Sequence, residues 1–284
     1  MKLDEIYIRD PFILNDNGKY YLYGTRGEEY VGKYTGLDVY MSDDLENWSK
    51  PKVCFTPPDD FWGTVDAWAP EVHKYNGKYY CFVSFKSETR TRATHILVSD
   101  SPEGPFVPNS AEPVTPREWE CLDGTLYVDD DSNPYMIFCH EWSQIRIGEI
   151  CAVRLDKNLK KAVGNPIVLL KADAPSWADG IDMPIGRAFV TDGPFVYRGE
   201  SGKLLMLWSS FAEGNYVEAV ASSDNGEITG KWTTSEKLLF EKDGGHGMLF
   251  KSNDNKLMFV MHFPNIFTKE RPLINEVDLK SFEI

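Results

Sequence analysis

Asp10-Pro-Phe-Ile-Leu-Asn-Asp-Asn-Gly-Lys-Tyr-Tyr-Leu-Tyr-Gly24 and Ala69-Pro-Glu-Val-His-Lys-Tyr-Asn-Gly-Lys-Tyr-Tyr-Cys-Phe-Val83 share one pattern. In each, a proline is followed seven residues later by Gly-Lys-Tyr-Tyr. Weaker copies begin at Asp123-Gly-Thr-Leu-Tyr, Gly193-Pro-Phe-Val-Tyr and His246-Gly-Met-Leu-Phe. Every copy is a short apolar run, a polar turn and a second apolar run, the signature of a β-hairpin.

Pro11, Pro70, Gly124, Pro194 and Gly247 recur at intervals of 59, 54, 70 and 53 residues. A four-stranded blade with loops needs about 40–50 residues, so the spacing predicts an all-β fold, a five-bladed β-propeller with enlarged blades. Short β-rich runs after the hairpins (Leu37–Met41, His95–Ser99, Ile150–Arg154, Val217–Ala221) supply outer strands. The clusters ending in Trp48, Phe106 and Trp232 read as one recurring turn with an aromatic plug between blades. No helical apolar period separates the strands, which argues against a parallel α/β sheet. Paired β-sandwiches would leave five similar hairpins unexplained. No Pro/Gly/Ser linker divides the chain, so residues 1–284 are expected to form one catalytic propeller domain.

The 284 residues carry 30 Lys and Arg against 44 Asp and Glu, a net charge of −14. So acidic a chain, without a basic patch, is not expected to bind nucleic acid or anionic membrane. No apolar run approaches the ~18 residues that span a bilayer. The start, Met1-Lys2-Leu3-Asp4-Glu5, has no apolar signal-peptide region, and five cysteines show no Cys-x-x-Cys pair. Those features point to reduced packing thiols and a cytoplasmic location. Aromatics make up 13% of the chain, which suits both β-structure and a site that stacks sugars.

In a propeller, the residues just before each innermost strand converge on one channel mouth. That reasoning gathers Asp10, Asp123, Asp192 and His246, which are scattered along the sequence. The returning strands bring Ser84-Phe85-Lys86, His140-Glu141-Trp142, Ser209-Ser210-Phe211 and His262-Phe263 to the same rim. Trp68, Phe85 and Trp142 are expected to offer apolar platforms to a sugar, with Ser209 and His262 beside them in substrate binding. Crowded carboxylates push their pKa values apart, as acid–base chemistry on a neutral ligand requires. His246, between two glycines that fill no space, is expected to face a ligand or an ion. Asp129-Asp130-Asp131 falls in a hairpin turn away from the mouth.

From Ile8 to about Pro264 the chain resembles glycoside hydrolase family 43, five-bladed propellers that cleave arabinosides and xylosides. Arg9-Asp10-Pro11-Phe12-Ile13 resembles the opening motif that bears the general base. Trp68-Ala69-Pro70-Glu71-Val72 resembles the second-blade motif, and Leu122-Asp123-Gly124 the segment whose carboxylate tunes and orients the acid. Gly245-His246-Gly247 resembles the fifth-blade segment whose histidine faces an ion, often calcium. No other cofactor is implied. The family's acid is a Glu before Gly-Pro or Ala-Pro, whereas this chain reads Asp192-Gly193-Pro194, one methylene shorter. Asp192 or Glu141 is therefore the expected acid.

The resemblance implies single-step inversion on plant cell-wall oligosaccharides. α-L-arabinofuranosidic substrates are favoured over β-D-xylosidic ones, because the chain stops soon after its fifth hairpin. Inserts at 25–36 and 171–187, the latter with Trp177 and Met183, are expected to wall an exo-type pocket. The alternatives are a non-catalytic glycan-binding propeller and a related glycoside phosphorylase. The phosphorylase would need Arg9, Lys86, Arg90, Arg92, Arg146 and Arg187 as a phosphate cluster.

Overall fold

The structure is a computed structural model that describes every residue except Ile185 and Ile284. Blade one comprises β1 (Ile8–Asp16), β2 (Lys19–Arg26), β3 (Leu37–Ser42) and β4 (Lys52–Phe55). In blade two are β5 (Val65–Tyr75), β6 (Lys78–Ser87), β7 (Arg90–Ser99) and β8 (Val107–Pro108). The third holds β9 (Cys121–Val128), β10 (Pro134–His140), β11 (Glu149–Leu155) and β12 (Ala162–Lys171). A small hairpin, β13 (Ile181–Met183) and β14 (Gly186–Ala188), precedes blade four. That blade is β15 (Asp192–Arg198), β16 (Leu204–Ala212), β17 (Asn215–Ser223) and β18 (Trp232–Thr234). Blade five has β19 (Gly245–Lys251), β20 (Leu257–Phe263) and β21 (Arg271–Glu276).

Each blade is an antiparallel sheet whose strands follow chain order. The innermost strands touch in a closed ring, β1 to β5, β9, β15, β19 and back to β1. The expected five-bladed propeller is what forms.

Strand alternation sends successive side chains to opposite faces, and here the two faces of a blade belong to two different interfaces. In β16, Leu204, Met206 and Trp208 pack with residues of blade three. Leu205 and Leu207 pack instead with Leu249, Phe259 and Met261 of blade five. In β10, Ile137 and Cys139 join the interface with blade four, while Met136 and Phe138 join that with blade two. The core is thus a ring of inter-blade layers, which requires both strand faces to be apolar. Trp48, Phe106 and Trp232 are 3%, 2% and 6% exposed, as expected of the aromatic plugs. The five cysteines are free and buried in these layers.

The ring closes where blade five meets blade one. Glu270, fully buried, accepts from Arg9 at 2.8 Å, and the Arg271 Nε donates to the Asp4 carbonyl at 2.8 Å.

Candidate active site

One irregularity, repeated five times, builds the site. Asp10, Ala69, Asp123, Gly193 and His246 all adopt left-handed backbone, with φ of 52°, 48°, 55°, 52° and 52°. Each stands in the N-terminal half of an innermost strand, and pairing with the second strand slips in every blade. These are β-bulges, which bend a strand and re-aim a side chain. Left-handed backbone costs a non-glycine residue about 1–3 kcal/mol, so the fold stores strain at these four non-glycine positions.

The strained N–H groups are held by side chains of the preceding blade. Ala69 donates to Thr25 Oγ1 at 2.7 Å, Asp123 to Ser84 Oγ at 2.9 Å, and His246 to Ser209 Oγ at 2.7 Å. Asp10 donates to His262 Nδ1 at 3.3 Å. At the third blade the equivalent residue is Cys139, and the Gly193 N–H goes instead to Asp123 Oδ2 at 3.0 Å.

Ser209 and His262 are fully buried. They hold the backbone of the bulges and do not line the cavity, contrary to the expectation that they bind substrate. Phe85 is also misplaced by the sequence reading. It is fully buried and packs on Tyr34, Phe55 and Phe61. Alternation explains this: Phe85 is in phase with Cys81 and Val83, which face blade one, whereas Ser84 faces blade three.

At the channel mouth a cavity of about 450 Å³ is lined by Asp10, Asp123, Asp192, Glu141, His246, Trp68 and Trp142 among others. The expected convergence of distant carboxylates is therefore present. Asp192, however, stands one position before the bulge residue Gly193, so it is equivalent to Arg9, Trp68, Leu122 and Gly245. It is not equivalent to Asp10 or Asp123.

Asp10 Oδ1 lies 3.2 Å from His246 Nδ1 and 3.5 Å from His262 Nδ1. Asp10 Oδ2 accepts from Thr25 at 2.7 Å. Burial alone would raise its pKa, but His246, Arg9, His262 and the Thr25 hydroxyl outweigh burial and hold it below the ordinary aspartate value. For His246, burial favours the neutral ring, yet Asp10, Asp123 and Asp192 together raise it to about 9. Asp123 Oδ2 lies 3.9 Å from the same imidazole. Asp123 and Asp192 are both raised, chiefly by burial and against the pull of the His246 cation; Asp192 and Asp10 add to the rise at Asp123, and Asp10 to that at Asp192, where the Tyr216 hydrogen bond and Arg9 also oppose it. Glu141 is raised by burial, with Arg92 at 3.8 Å opposing.

Trp68 is part of the wall. Its ring stacks on Tyr30 at 5.3 Å, and the Arg92 guanidinium lies 3.4 Å from its centre. Its stacking partners are protein groups, so its ring is not a free platform. Trp142 opens a single helical turn, Trp142–Ile145, and faces the cavity partly exposed.

Of the two inserts, 25–36 contributes Tyr30 and 171–187 contributes Ile181. Trp177 packs on Trp208 instead. Arg9, Tyr216 and Phe267 also line the cavity, the last 64% exposed. Arg9 is the first residue of the opening motif. Tyr216 and Phe267 had no sequence signal, since both come from strand ends or loops outside the repeat core.

The His246 Nδ1 is turned to carboxylates, 3.2 Å from Asp10 and 3.9 Å from Asp123, so the expected ion would meet this histidine through its other ring nitrogen and would draw most of calcium's six to eight oxygens from water. Among the described residues no three His, Cys, Asp or Glu side chains group to hold a metal ion. The basic residues proposed for phosphate are neutralised or engaged: Arg9 by Glu270, Lys86 by Glu120, Arg90 by Glu112, Arg92 by Asp66 and Arg187 by Asp179. Arg146 donates to the Arg187 carbonyl.

A family model described as Glycosyl hydrolases family 43 matches residues 5–283. A solved endo-arabinase from Bacteroides thetaiotaomicron VPI-5482 is 41% identical with a TM-score of 0.92, covering 99% of this chain and 97% of that one. The extracellular endo-α-(1→5)-L-arabinanase 1 of Bacillus subtilis (strain 168) is 26% identical over 263 residues, which is 87% of this chain and 73% of the relative. Xylosidase/arabinosidase 43A of Humicola insolens is 30% identical over 152 residues, 49% of this chain and 46% of the relative.

Proposed function

The chain belongs to glycosyl hydrolases family 43, and we propose that it cuts α-1,5-linked L-arabinofuranosyl chains internally, by one-step inversion. It is a glycoside hydrolase, with relatives named for arabinan- and xyloside-cleaving activities. Two relatives that match 87% and 99% of the chain are named as endo-acting on arabinan, which supports arabinan over xylan. The same names support internal cleavage over the terminal cleavage suggested by the long inserts.

The observation that carries the mechanism is the divergence of pKa values around one cavity. Asp10 is held ionised by His246 and Arg9, whereas Asp192 and Asp123 are pushed toward the protonated form. Carboxyl groups driven apart in this way can serve as base and acid together. Asp10 takes a proton from water as its oxygen attacks the anomeric carbon. Asp192 gives its proton to the glycosidic oxygen, which leaves with the bonding pair. Asp123 fixes the Gly193 N–H beside the acid and repels its ionised form. Glu141 is also raised by burial, with the Arg92 cation at 3.8 Å opposing; Asp192, which stands before Gly193-Pro194 as the family's glutamate does, is taken as the donor.

A cytoplasmic location finds no support: the Bacillus subtilis relative is named as extracellular. We propose the same setting for this chain. No helix among the described residues is long and apolar enough to cross a membrane.

The test compares Asp10→Ala, Asp192→Asn and Glu141→Gln on linear arabinan. The first two should lose at least about a hundredfold in kcat, and Glu141→Gln far less. Undiminished turnover in Asp10→Ala would remove the proposed base.

A further inference from the structure

Tyr216 is 2% exposed, yet its hydroxyl reaches the acid, donating to Asp192 Oδ2 at 3.1 Å. Four contacts lock the ring and its backbone. It stacks on His262 at 5.5 Å and packs on Phe211 at 5.3 Å. The Tyr216 N–H donates to Asp243 Oδ1 at 3.2 Å, and its carbonyl accepts from Gly244 N–H at 2.9 Å. The ring occupies space that a side chain would otherwise fill. At Gly245, a Cβ would come within 2.9 Å of Tyr216 Cε1. Gly245 is the fifth-blade equivalent of Asp192, and only there is the residue before the bulge a glycine.

We propose that Tyr216 is the positioning residue for the acid, compensating for the methylene that Asp192 lacks relative to glutamate. This rests on the reading in which Asp192 is the acid. A carboxylic acid that accepts a hydrogen bond at Oδ2 uses that atom as its carbonyl oxygen, so its proton sits on Oδ1. The phenol thereby selects the oxygen that delivers the proton and restricts rotation of a short side chain. In the step itself, the Oδ1–H bond breaks, the proton joins the glycosidic oxygen, and Asp192 becomes a carboxylate still bonded to the phenol. Burial holds the Tyr216 phenol well above its ordinary pKa, so it remains a donor.

A misplacement of about 1 Å can cost on the order of a hundredfold in rate, and only substrates that need protonation feel it. The experiment measures kcat for Tyr216→Phe, Asp192→Asn and the double variant, each on arabinotetraose and on the dinitrophenyl glycoside of α-1,5-arabinotriose, whose leaving group needs little acid help. Tyr216→Phe is expected to lose roughly 10- to 100-fold on the tetrasaccharide and less than about twofold on the activated glycoside. In the Asp192→Asn background the added change should cost less than about twofold. The ratio of the two rates belongs to folded molecules alone, so partial unfolding does not mask it. If Asp192→Asn shows the selective loss but Tyr216→Phe loses equally on both substrates, or on neither, the inference fails and the reading stands. Should Asp192→Asn keep full activity on the tetrasaccharide, the reading fails and the inference with it.

Discussion

Ser84 and Phe85 are neighbours with opposite roles, and the difference is one step of strand alternation. Ser84 faces blade three and accepts the N–H of Asp123. Phe85 faces blade one, where Phe55, Phe61 and Tyr34 enclose it. The phase was legible in Tyr79, Cys81 and Val83, but proximity to the rim suggested a sugar platform. Removing the ring should therefore damage the fold and spare the chemistry. Phe85→Ala is expected to cost about 3–5 kcal/mol in denaturant unfolding, with KM for arabinan changed less than about twofold. A raised KM at unchanged stability would restore Phe85 to the substrate site.

At the scale of the element, the bulge is the unit of construction. A hairpin repeat was readable because Pro or Gly follows each bulge and a polar turn follows each first strand. The offset of Asp192 from Asp10 and Asp123 was present in the letters, but its consequence depends on where a bulged strand aims each side chain. Glu218 on β17 supports the last bulge: it accepts from Ser209 at 2.7 Å and from the Gly247 N–H at 3.1 Å, while Oε1 has no partner. Burial raises its pKa to about 8, against opposition from those two hydrogen bonds. Unfolded, it releases its proton near pH 4.3. Between those values the native state binds the extra proton, so this group's contribution to stability falls as pH rises through the window and levels off above it. Glu218→Gln, close in shape to the protonated acid, should flatten the decline of Tm between pH 5 and 8. A slope identical to the parent's would show that Glu218 is already ionised in the fold.

For the whole molecule, the decisive contact is the one that shuts the ring. Arg9 precedes the proposed base and also pairs with buried Glu270 from the far end of the chain. Removing one partner of a buried pair leaves the other charge uncompensated, at a cost of about 3–5 kcal/mol. Glu270→Gln is expected to lower unfolding stability by that order, read by denaturant titration; a change below about 1 kcal/mol would show that packing alone closes the ring. The blade number, the hairpins, the aromatic plugs and the gathering of Asp10, Asp123, Asp192 and His246 followed from the sequence itself, because repeat period and strand alternation are local properties of a chain. Which oxygen meets which proton donor, that Trp68 is already covered by Tyr30 and Arg92, and that Tyr216 fills the space left by Gly245 were decided only by tertiary structure. Those contacts join residues from different blades, and their distances depend on how five twisted sheets close around one axis.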